Sequence, residues 1–303
     1  MFYRSNAEVK KIVHSDSGLA WLLLILLSLI WGSSFILIKK ALISFNATQV
    51  GAARIAISFL AFLPLFIKHF KSIPWNKLKP FIIVGLCGSG FPAFLFAIGQ
   101  QEIPSSAAGV FNSLTPIFTF IIAIFFFKAR LYGKQLTGVI LGFSGASLLF
   151  LAKQEGELAF PFFHSMLMVL ATISYGISAN TVNRFLVGVK PTVISVVSFV
   201  IIGPFMLIYL LNSSFLGQLK SHPQAMGSFA ALLVLSLVGT FLANILFFKL
   251  IQLTDAVFSS SVSFIIPIVA LLWGVLDGEM ISVYHLAALG LILSGVFLIK
   301  RMR

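Results

Sequence analysis

The chain has 303 residues, of which 59% are hydrophobic and only 10% are charged. About a quarter of the residues in a soluble globular domain are charged, so the composition excludes that class and indicates a helical protein that crosses a membrane several times. The formal charge of +13 would suggest nucleic-acid binding in a soluble protein. In a membrane protein it reports topology instead, and we expect no nucleic-acid partner. The single cysteine, Cys87, excludes an internal disulfide bond and argues against a thiolate metal site.

The first eighteen residues are polar and basic, and we expect this segment (1–18) to lie in the cytoplasm. The apolar run after it is too long for a signal-peptide core and has no cleavage-like end, so it predicts a retained first helix. A membrane-spanning helix needs roughly 20 mostly apolar residues. Such runs predict an all-α membrane protein with ten spans, at 19–38, 49–67, 80–99, 106–127, 133–151, 163–186, 192–211, 227–251, 256–276 and 283–299.

Lysine and arginine residues orient these spans. Most of them fall in the loops on the amino-terminal side, whereas only Lys39, Lys40, Lys153 and Lys220 fall in loops on the opposite side. Because cytoplasmic loops carry an excess of basic residues, the pattern predicts that both termini are cytoplasmic. The expected location is the inner, or cytoplasmic, membrane of the cell.

The two halves of the chain repeat each other. The stretch SLIWGSSFILIKKAL (28–42) aligns without gaps with TISYGISANTVNRFL (172–186), and Gly88-Ser89 aligns with Gly239-Thr240. This divides the chain into a first repeat at 19–152 and a second at 163–299, each with five spans. Because five is odd, the second repeat must enter the membrane from the other side. Inverted repeats of this kind are typical of transporters that work by alternating access.

Four stretches resemble the EamA-type transporters of the drug/metabolite transporter superfamily: WGSSF, AARIAISFLAFLPL, SSAAGVFNSLTPIFTFIIAIFFF and SSSVSFIIPIVALLWGVLDGE. The resemblance covers about residues 19 to 299. It implies ten helices with a central cavity, and transport of amino acids, sugars, other metabolites or toxic compounds. The family often has a Gly-Glu pair after its fourth and ninth spans. This chain keeps Gly278-Glu279 but has Lys128-Ala129-Arg130 at the first position.

Two matching triplets are the first candidates for a binding site. Ser28, Trp31 and Ser34 lie on one broad helix face, and their counterparts in the repeat place hydroxyl, aromatic ring and hydroxyl in the same order. The counterparts are Thr172, Tyr175 and Ser178. We expect these side chains to line a central cavity. The alternative is helix packing, because small residues let helices approach closely.

Further candidates lie near the middle of other spans. Asn112 and Ser263 each stand four residues before a proline, which removes the hydrogen bond to their carbonyl groups; they could line the cavity or only repair a kink. Asn244 would be costly in lipid, so it must face protein or cavity. Phe91 lies in the stretch GSGFP, where glycines and a proline predict a break in the helix, and it could offer a ring to a solute.

When the basic residues near the span ends are assigned to the loops, Arg54 is the one that remains within a predicted span. Ionisable residues inside a membrane are candidates for function, so Arg54 could bind the solute. It also lies close enough to the end of its span to extend to the outer interface or to pair with another part of the protein.

Catalytic and metal-binding patterns are absent from the sequence. Every acidic residue lies at a span end or in a loop, the five histidines are scattered, and there is no Walker-type glycine loop. We therefore expect no enzyme activity, metal or cofactor. The sequence predicts a secondary transporter, and more specifically an exporter of small organic metabolites such as amino acids, whose partners are the solute and membrane lipid. A membrane scaffold or receptor is the main alternative, and a membrane-embedded enzyme the other.

Overall fold

The computed structural model describes residues 17–127, 133–151, 161–254, 256–260 and 262–300. Within these ranges the chain is helical and contains no β-strand. The polar amino-terminal segment up to residue 16 and the Lys128-Ala129-Arg130 sequence lie outside the described residues. The α-helices are α1 (Ser17–Leu42), α2 (Ala47–His69), α3 (Leu78–Gly85), α4 (Phe91–Gly99), α5 (Ser105–Asn112), α6 (Thr115–Phe127), α7 (Gly133–Leu151), α8 (Phe162–Phe185), α9 (Pro191–Asn212), α10 (Phe215–Ser221), α11 (Ala225–Ser236), α12 (Ala243–Leu253), α13 (Ala256–Ser259), α14 (Val262–Leu276) and α15 (Val283–Lys300).

Seven helical stretches of the described chain are long and apolar enough to cross a membrane: Gly18–Leu42, Ala47–Ser72, Trp75–Gly99, Ser105–Phe126, Phe162–Phe185, Pro191–Asn212 and Ala225–Leu253. Two shorter apolar helices follow, at Val262–Leu276 and Val283–Gly295, and α7 occupies the predicted fifth span. Large apolar side chains cover the outer surface; Phe125, for example, is 78% exposed. A surface of this kind suits contact with lipid rather than water. The prediction of an all-helical membrane protein is therefore confirmed.

Two spans are interrupted by π-helical segments at corresponding places in the two halves. Leu86–Gly90 joins α3 to α4, and Leu237–Leu242 joins α11 to α12. These segments contain the Gly88-Ser89 and Gly239-Thr240 pairs that the repeat aligns. A π-helical turn widens the hydrogen-bonding pattern and often lies at a functional site.

The predicted fourth and ninth spans also break, but not in the same way. In the first half, α5 ends at Asn112 and α6 begins at Thr115, just before Pro116. In the second half, α13 ends at Ser259 and α14 begins at Val262. This break therefore comes well before the proline, and Pro267 lies inside α14. Asn180 joins α8 to α6 beyond the first break, because its amide donates hydrogen bonds to the carbonyls of Thr119 (2.8 Å) and Gly176 (2.9 Å).

The most extensive helix packing joins one half of the chain to the other. The pairs are α7 with α15, α2 with α9, α14 with both α1 and α5, and α8 with both α4 and α6. The crossing of α1 and α14 depends on Gly32. A Cβ atom at this position would lie 2.5 Å from Val269 Cβ and 2.9 Å from the carbonyl oxygen of Ile266, which is closer than van der Waals contact allows. The glycine of the WGSSF stretch is therefore a packing residue.

Candidate substrate-binding cavity

A cavity lies where helices of the two halves meet. Its volume, counted as the space open to the centre of a water molecule, is about 80 Å³. A single water needs about 10–15 Å³ by this measure, so the space suits several waters or a small organic solute. The lining residues are Trp31, Ser34, Phe35, Ile38, Arg54, Gly88, Phe96, Asn112, Thr115, Thr119, Tyr175, Ser178, Ala179, Asn244, Phe247, Phe248, Ser259, Ser260, Val262, Ser263 and Ile266.

Most of the site residues expected from the sequence meet in this cavity, although they come from six different helices. Those that line it are Trp31, Ser34, Arg54, Asn112, Tyr175, Ser178, Asn244 and Ser263. Both aligned pairs are therefore present in its wall, Trp31 and Ser34 from α1 and Tyr175 and Ser178 from α8.

The other three expected site residues lie elsewhere. Ser28 is fully buried and donates hydrogen bonds to the carbonyls of Leu24 (2.7 Å) and Val262 (3.1 Å), which fastens α1 to the start of α14. Thr172 is also fully buried and bonds to the carbonyl of Val169 in its own helix. Phe91 is 50% exposed and does not line the cavity. For Ser28 and Thr172, the contacts match the packing alternative.

Several residues that line the cavity were not among the candidates predicted from the sequence. Phe247 and Phe248 follow Asn244 by three and four residues, and in a helix those positions share its face. The same spacing rule could have found Thr115 and Thr119 after Asn112. Phe35 and Phe96 carried no comparable signal, because both sit among many other phenylalanines and only tertiary packing brings them to the cavity.

Trp31 is held by the π-helical segment of the second half. Its indole Nε1 donates a hydrogen bond to the carbonyl of Gly239 at 3.0 Å, and its ring packs edge-on against Phe247 with ring centres 4.9 Å apart. A second set of rings continues the aromatic wall. Phe96 stacks on Tyr175 with centres 6.2 Å apart. The cavity therefore offers ring faces with fixed positions rather than mobile side chains.

Arg54 does not extend to the outer interface. It is half-buried and lines the cavity, and its Nε donates a hydrogen bond to the hydroxyl of Thr240 at 2.7 Å. The guanidinium also interacts with the phenol of Tyr175. Arg54 therefore connects α2 to the π-helical segment Leu237–Leu242 and to α8, all of which border the cavity.

Thr115 presents a polar group that the protein does not satisfy. The residue is 8% exposed and lines the cavity, yet its Oγ1 has no hydrogen-bond partner among the described residues. Its neighbour one turn on, Thr119, is satisfied, because its Oγ1 donates to the carbonyl of Thr115 at 2.8 Å. A buried hydroxyl without a partner is costly, and Thr115 carries that cost at the wall of the cavity.

A cluster of charged residues joins three helices at the end of the molecule where α1 ends and α5 begins. Lys39 lies 2.7 Å from Glu279 and 2.7 Å from Asp277, and Lys40 also pairs with Asp277. Glu279 accepts further hydrogen bonds from the backbone amides of Ser105 (3.1 Å) and Ser106 (2.9 Å) and from the hydroxyl of Ser105 (2.8 Å). Its carboxylate thus caps the amino terminus of α5, where a negative charge is favourable.

The conformation of Gly278 delivers Glu279 to this position. Gly278 has a φ of 78°, which residues with a Cβ atom rarely adopt, and it ends α14 so that the amide of Glu279 bonds to the carbonyl of Gly274 at 2.8 Å. Burial by itself would raise the pKa of Glu279, but the hydrogen bonds from Lys39, Ser106 and Ser105 outweigh burial and lower the pKa to about 2. The Gly-Glu pair is therefore a structural tie between helices.

No metal centre accompanies the cavity. Within the described ranges, no three His, Cys, Asp or Glu side chains lie close enough together to hold a metal ion. What the cavity combines is hydroxyl and amide groups, aromatic rings and the single guanidinium of Arg54. That combination can hold a small solute by hydrogen bonds and ring contacts.

Comparisons with known proteins agree with this architecture. A solved crystal structure superposes with a TM-score of 0.64 at 16% identity, over 94% of this chain and 97% of its own, which shows a shared fold. An uncharacterized transporter of Archaeoglobus fulgidus is 23% identical over 93% of this chain and 99% of its own length. A probable amino-acid metabolite efflux pump of Salmonella typhimurium is 28% identical over 91% of this chain and 93% of its own. The model of the EamA-like transporter family matches residues 18–151 and 163–301, and the chain therefore belongs to that family.

Proposed function

We propose that this member of the family is a secondary transporter that exports small organic metabolites, such as amino acids, across the inner membrane of the cell. The observation that carries the proposal is the cavity between the two halves, where eight of the side chains expected from the sequence meet. The Salmonella typhimurium relative is described as a probable amino-acid metabolite efflux pump, which supports the solute class and the direction.

The proposed mechanism is alternating access between two inverted five-helix repeats, 19–152 and 163–299, with both termini in the cytoplasm. Two features support it. The π-helical segments interrupt the third and eighth spans at aligned positions, and the main helix contacts run between the halves, so a movement of one half against the other would reshape the cavity. In this arrangement the Glu279 cluster holds one end of the cavity closed, and it must separate for that end to open.

The lining favours a solute with a ring or other apolar part and a few hydrogen-bonding groups. Trp31, Tyr175 and Phe247 offer ring faces and edges, while Ser34, Ser178 and the two asparagines offer hydroxyl and amide groups. An aromatic contact contributes about 0.5–1.5 kcal/mol beyond area burial. At about 1.4 kcal/mol per tenfold in affinity, the loss of one ring contact weakens binding several-fold to about tenfold.

The test is flux in proteoliposomes that contain the purified protein. Solutes that raise its thermal stability, as ligands of the folded state do, are first selected from a metabolite library and then measured by counterflow. Trp31→Ala and Tyr175→Ala are expected to weaken apparent affinity several-fold to about tenfold, whereas Phe125→Ala, on the exposed surface, serves as the matched aromatic control. Trp31→Phe separates loss of the ring from loss of the hydrogen bond to Gly239.

The alternatives predict different results. A scaffold or receptor would bind a solute without moving it, so stabilisation without counterflow would contradict transport. A membrane-embedded enzyme would convert a candidate lipid or peptide during incubation with the purified protein. Equal effects of Trp31→Ala and Phe125→Ala on transport would show that the cavity is not the route of the solute.

A further inference from the structure

We propose that Arg54 binds a carboxylate of the transported solute, and that the solute needs no ammonium group to be recognised. This inference rests on the proposed function, because it requires the cavity to be the solute site. It narrows the substrate class to small organic acids that carry one carboxylate and an apolar or aromatic part. Amino acids are only one kind of such acid.

The charge of Arg54 is not balanced by any described acidic residue. Arginine stays protonated in proteins, and a cation away from water is costly unless it is paired. Of the acidic residues that the structure describes, Asp277 and Glu279 pair with lysines, and Glu102 is exposed and does not line the cavity. Tyr175 interacts with the guanidinium but, as a phenol, supplies no charge at neutral pH. A solute with a single negative charge would complete the pairing.

The guanidinium is also held in a fixed orientation. Thr240 is almost fully buried, and its hydroxyl donates to the carbonyl of Leu235 at 3.0 Å, so its oxygen is left to accept from Nε of Arg54. The bond to Thr240 uses one of the five N–H groups of the side chain, and Tyr175 interacts with the same guanidinium. Terminal N–H groups remain beyond these contacts, and the planar fork of the guanidinium matches the two oxygens of a carboxylate.

The rest of the lining indicates what else the solute carries. Hydroxyl and amide side chains of the lining provide further polar contacts, and Trp31, Phe96 and Tyr175 provide an apolar wall. No acidic side chain is among the described lining residues, so an ammonium group would find only neutral hydroxyl and amide oxygens. A carboxylate gains an ion pair in this cavity, whereas an ammonium group gains none.

The proposal is tested with matched sets of probes in which only the charged group differs. For each of four side chains (methyl, isobutyl, benzyl and indolylmethyl), the carboxylic acid, the amino acid, its amide and the corresponding amine are compared by thermal stabilisation and by inhibition of counterflow. The acid and the amino acid of at least one set are expected to bind, with the acid at least as tight, and the amide and amine to bind at least tenfold more weakly. Equal binding of the amine, or no binding by any carboxylate, overturns the proposal.

Variants of Arg54 give a second measurement. A hydrogen bond to a charged group contributes about 1.5–3 kcal/mol, so Arg54→Gln should weaken carboxylate binding roughly ten- to a hundredfold and leave amide binding unchanged. Arg54→Lys keeps the charge but not the planar fork, so its affinity for the carboxylate should lie between those of the unaltered protein and Arg54→Gln. Lys220→Gln removes the same charge from an exposed position and should leave carboxylate binding unchanged. If Arg54→Gln does not fold, the comparison of probes on the unaltered protein still tests the carboxylate preference.

The outcomes separate this inference from the proposed function. Carboxylate binding that depends on Arg54 but is never followed by flux would contradict transport and leave the carboxylate site standing. Flux of amines and amides at the same rate as acids would support transport and overturn the carboxylate site. A carboxylate preference that persists in Arg54→Gln would place the anion elsewhere in the cavity.

Discussion

Replacing Glu279 with glutamine tests whether the charged cluster stabilises the fold. The change keeps the size of the side chain and removes its charge, so Lys39 loses its ion pair with this residue and α5 loses its carboxylate cap. The side chain is only 6% exposed, and the amide cannot accept all of these hydrogen bonds as a carboxylate does. We expect a folded protein with lower stability.

The magnitude follows from the pKa of Glu279, which falls from an ordinary 4.5 to about 2. One pKa unit corresponds to about 1.4 kcal/mol, so the shift sets an upper bound of about 3 kcal/mol on the contribution of the charge. Lys39 is 36% exposed, and solvent screens an ion pair of this kind. The expected loss in the free energy of unfolding is therefore about 1–2 kcal/mol at neutral pH.

The assay is denaturation in detergent micelles across a pH series, with Glu102→Gln as an exposed control at the same end of the molecule. A carboxylate with a lowered pKa stabilises the folded state fully above its unfolded pKa, and this stabilisation is lost as the pH falls through the folded value. The difference in the free energy of unfolding between the unaltered protein and Glu279→Gln should therefore be constant above about pH 5 and shrink between pH 4.5 and 2. A difference that is zero at neutral pH, or that does not change down to pH 3, would refute the reasoning.

Three further predictions concern other parts of the molecule. In a Cys87→Ser background, Ser34→Cys should react with a small water-soluble thiol reagent and be protected by solute, because Ser34 lines the cavity; a thiol that never reacts during active transport would make Ser34 a packing residue. Gly32→Ala should destabilise the fold by about 1–3 kcal/mol through overpacking against Val269, whereas Gly290→Ala, with nothing within 4 Å, should not; equal melting temperatures would contradict the close crossing of α1 and α14. Reporter fusions after Arg303 and in the loop between Lys153 and His164 should report opposite sides of the membrane, and the same side for both would contradict the ten-span topology.

Composition and repetition determined much of this protein from the sequence alone. The backbone of a chain that crosses lipid must satisfy its own hydrogen bonds, and uninterrupted apolar runs of roughly 20 residues match the length of a spanning helix. Neither requirement depends on packing. Trp31, Ser34, Tyr175 and Ser178 of the aligned triplets line the cavity, whereas Ser28 and Thr172 of the same triplets are fully buried. The family resemblance followed from the same stretches.

Only the tertiary structure decided which polar residues face the cavity. Ser28 and Ser34 lie on the same broad face of α1, yet the first bonds to Val262 across a helix contact and the second lines the cavity. Ser28 meets the backbone of α14, whereas Ser34 donates its hydrogen bond to Ile30 in its own helix and borders the open space. Periodicity fixes the direction of a side chain around its own helix, but not which neighbour the helix meets at that level. The partner of Arg54 was hidden for the same reason, since Thr240 is brought to it by a π-helical segment 186 residues away in the chain, and no local pattern records that contact.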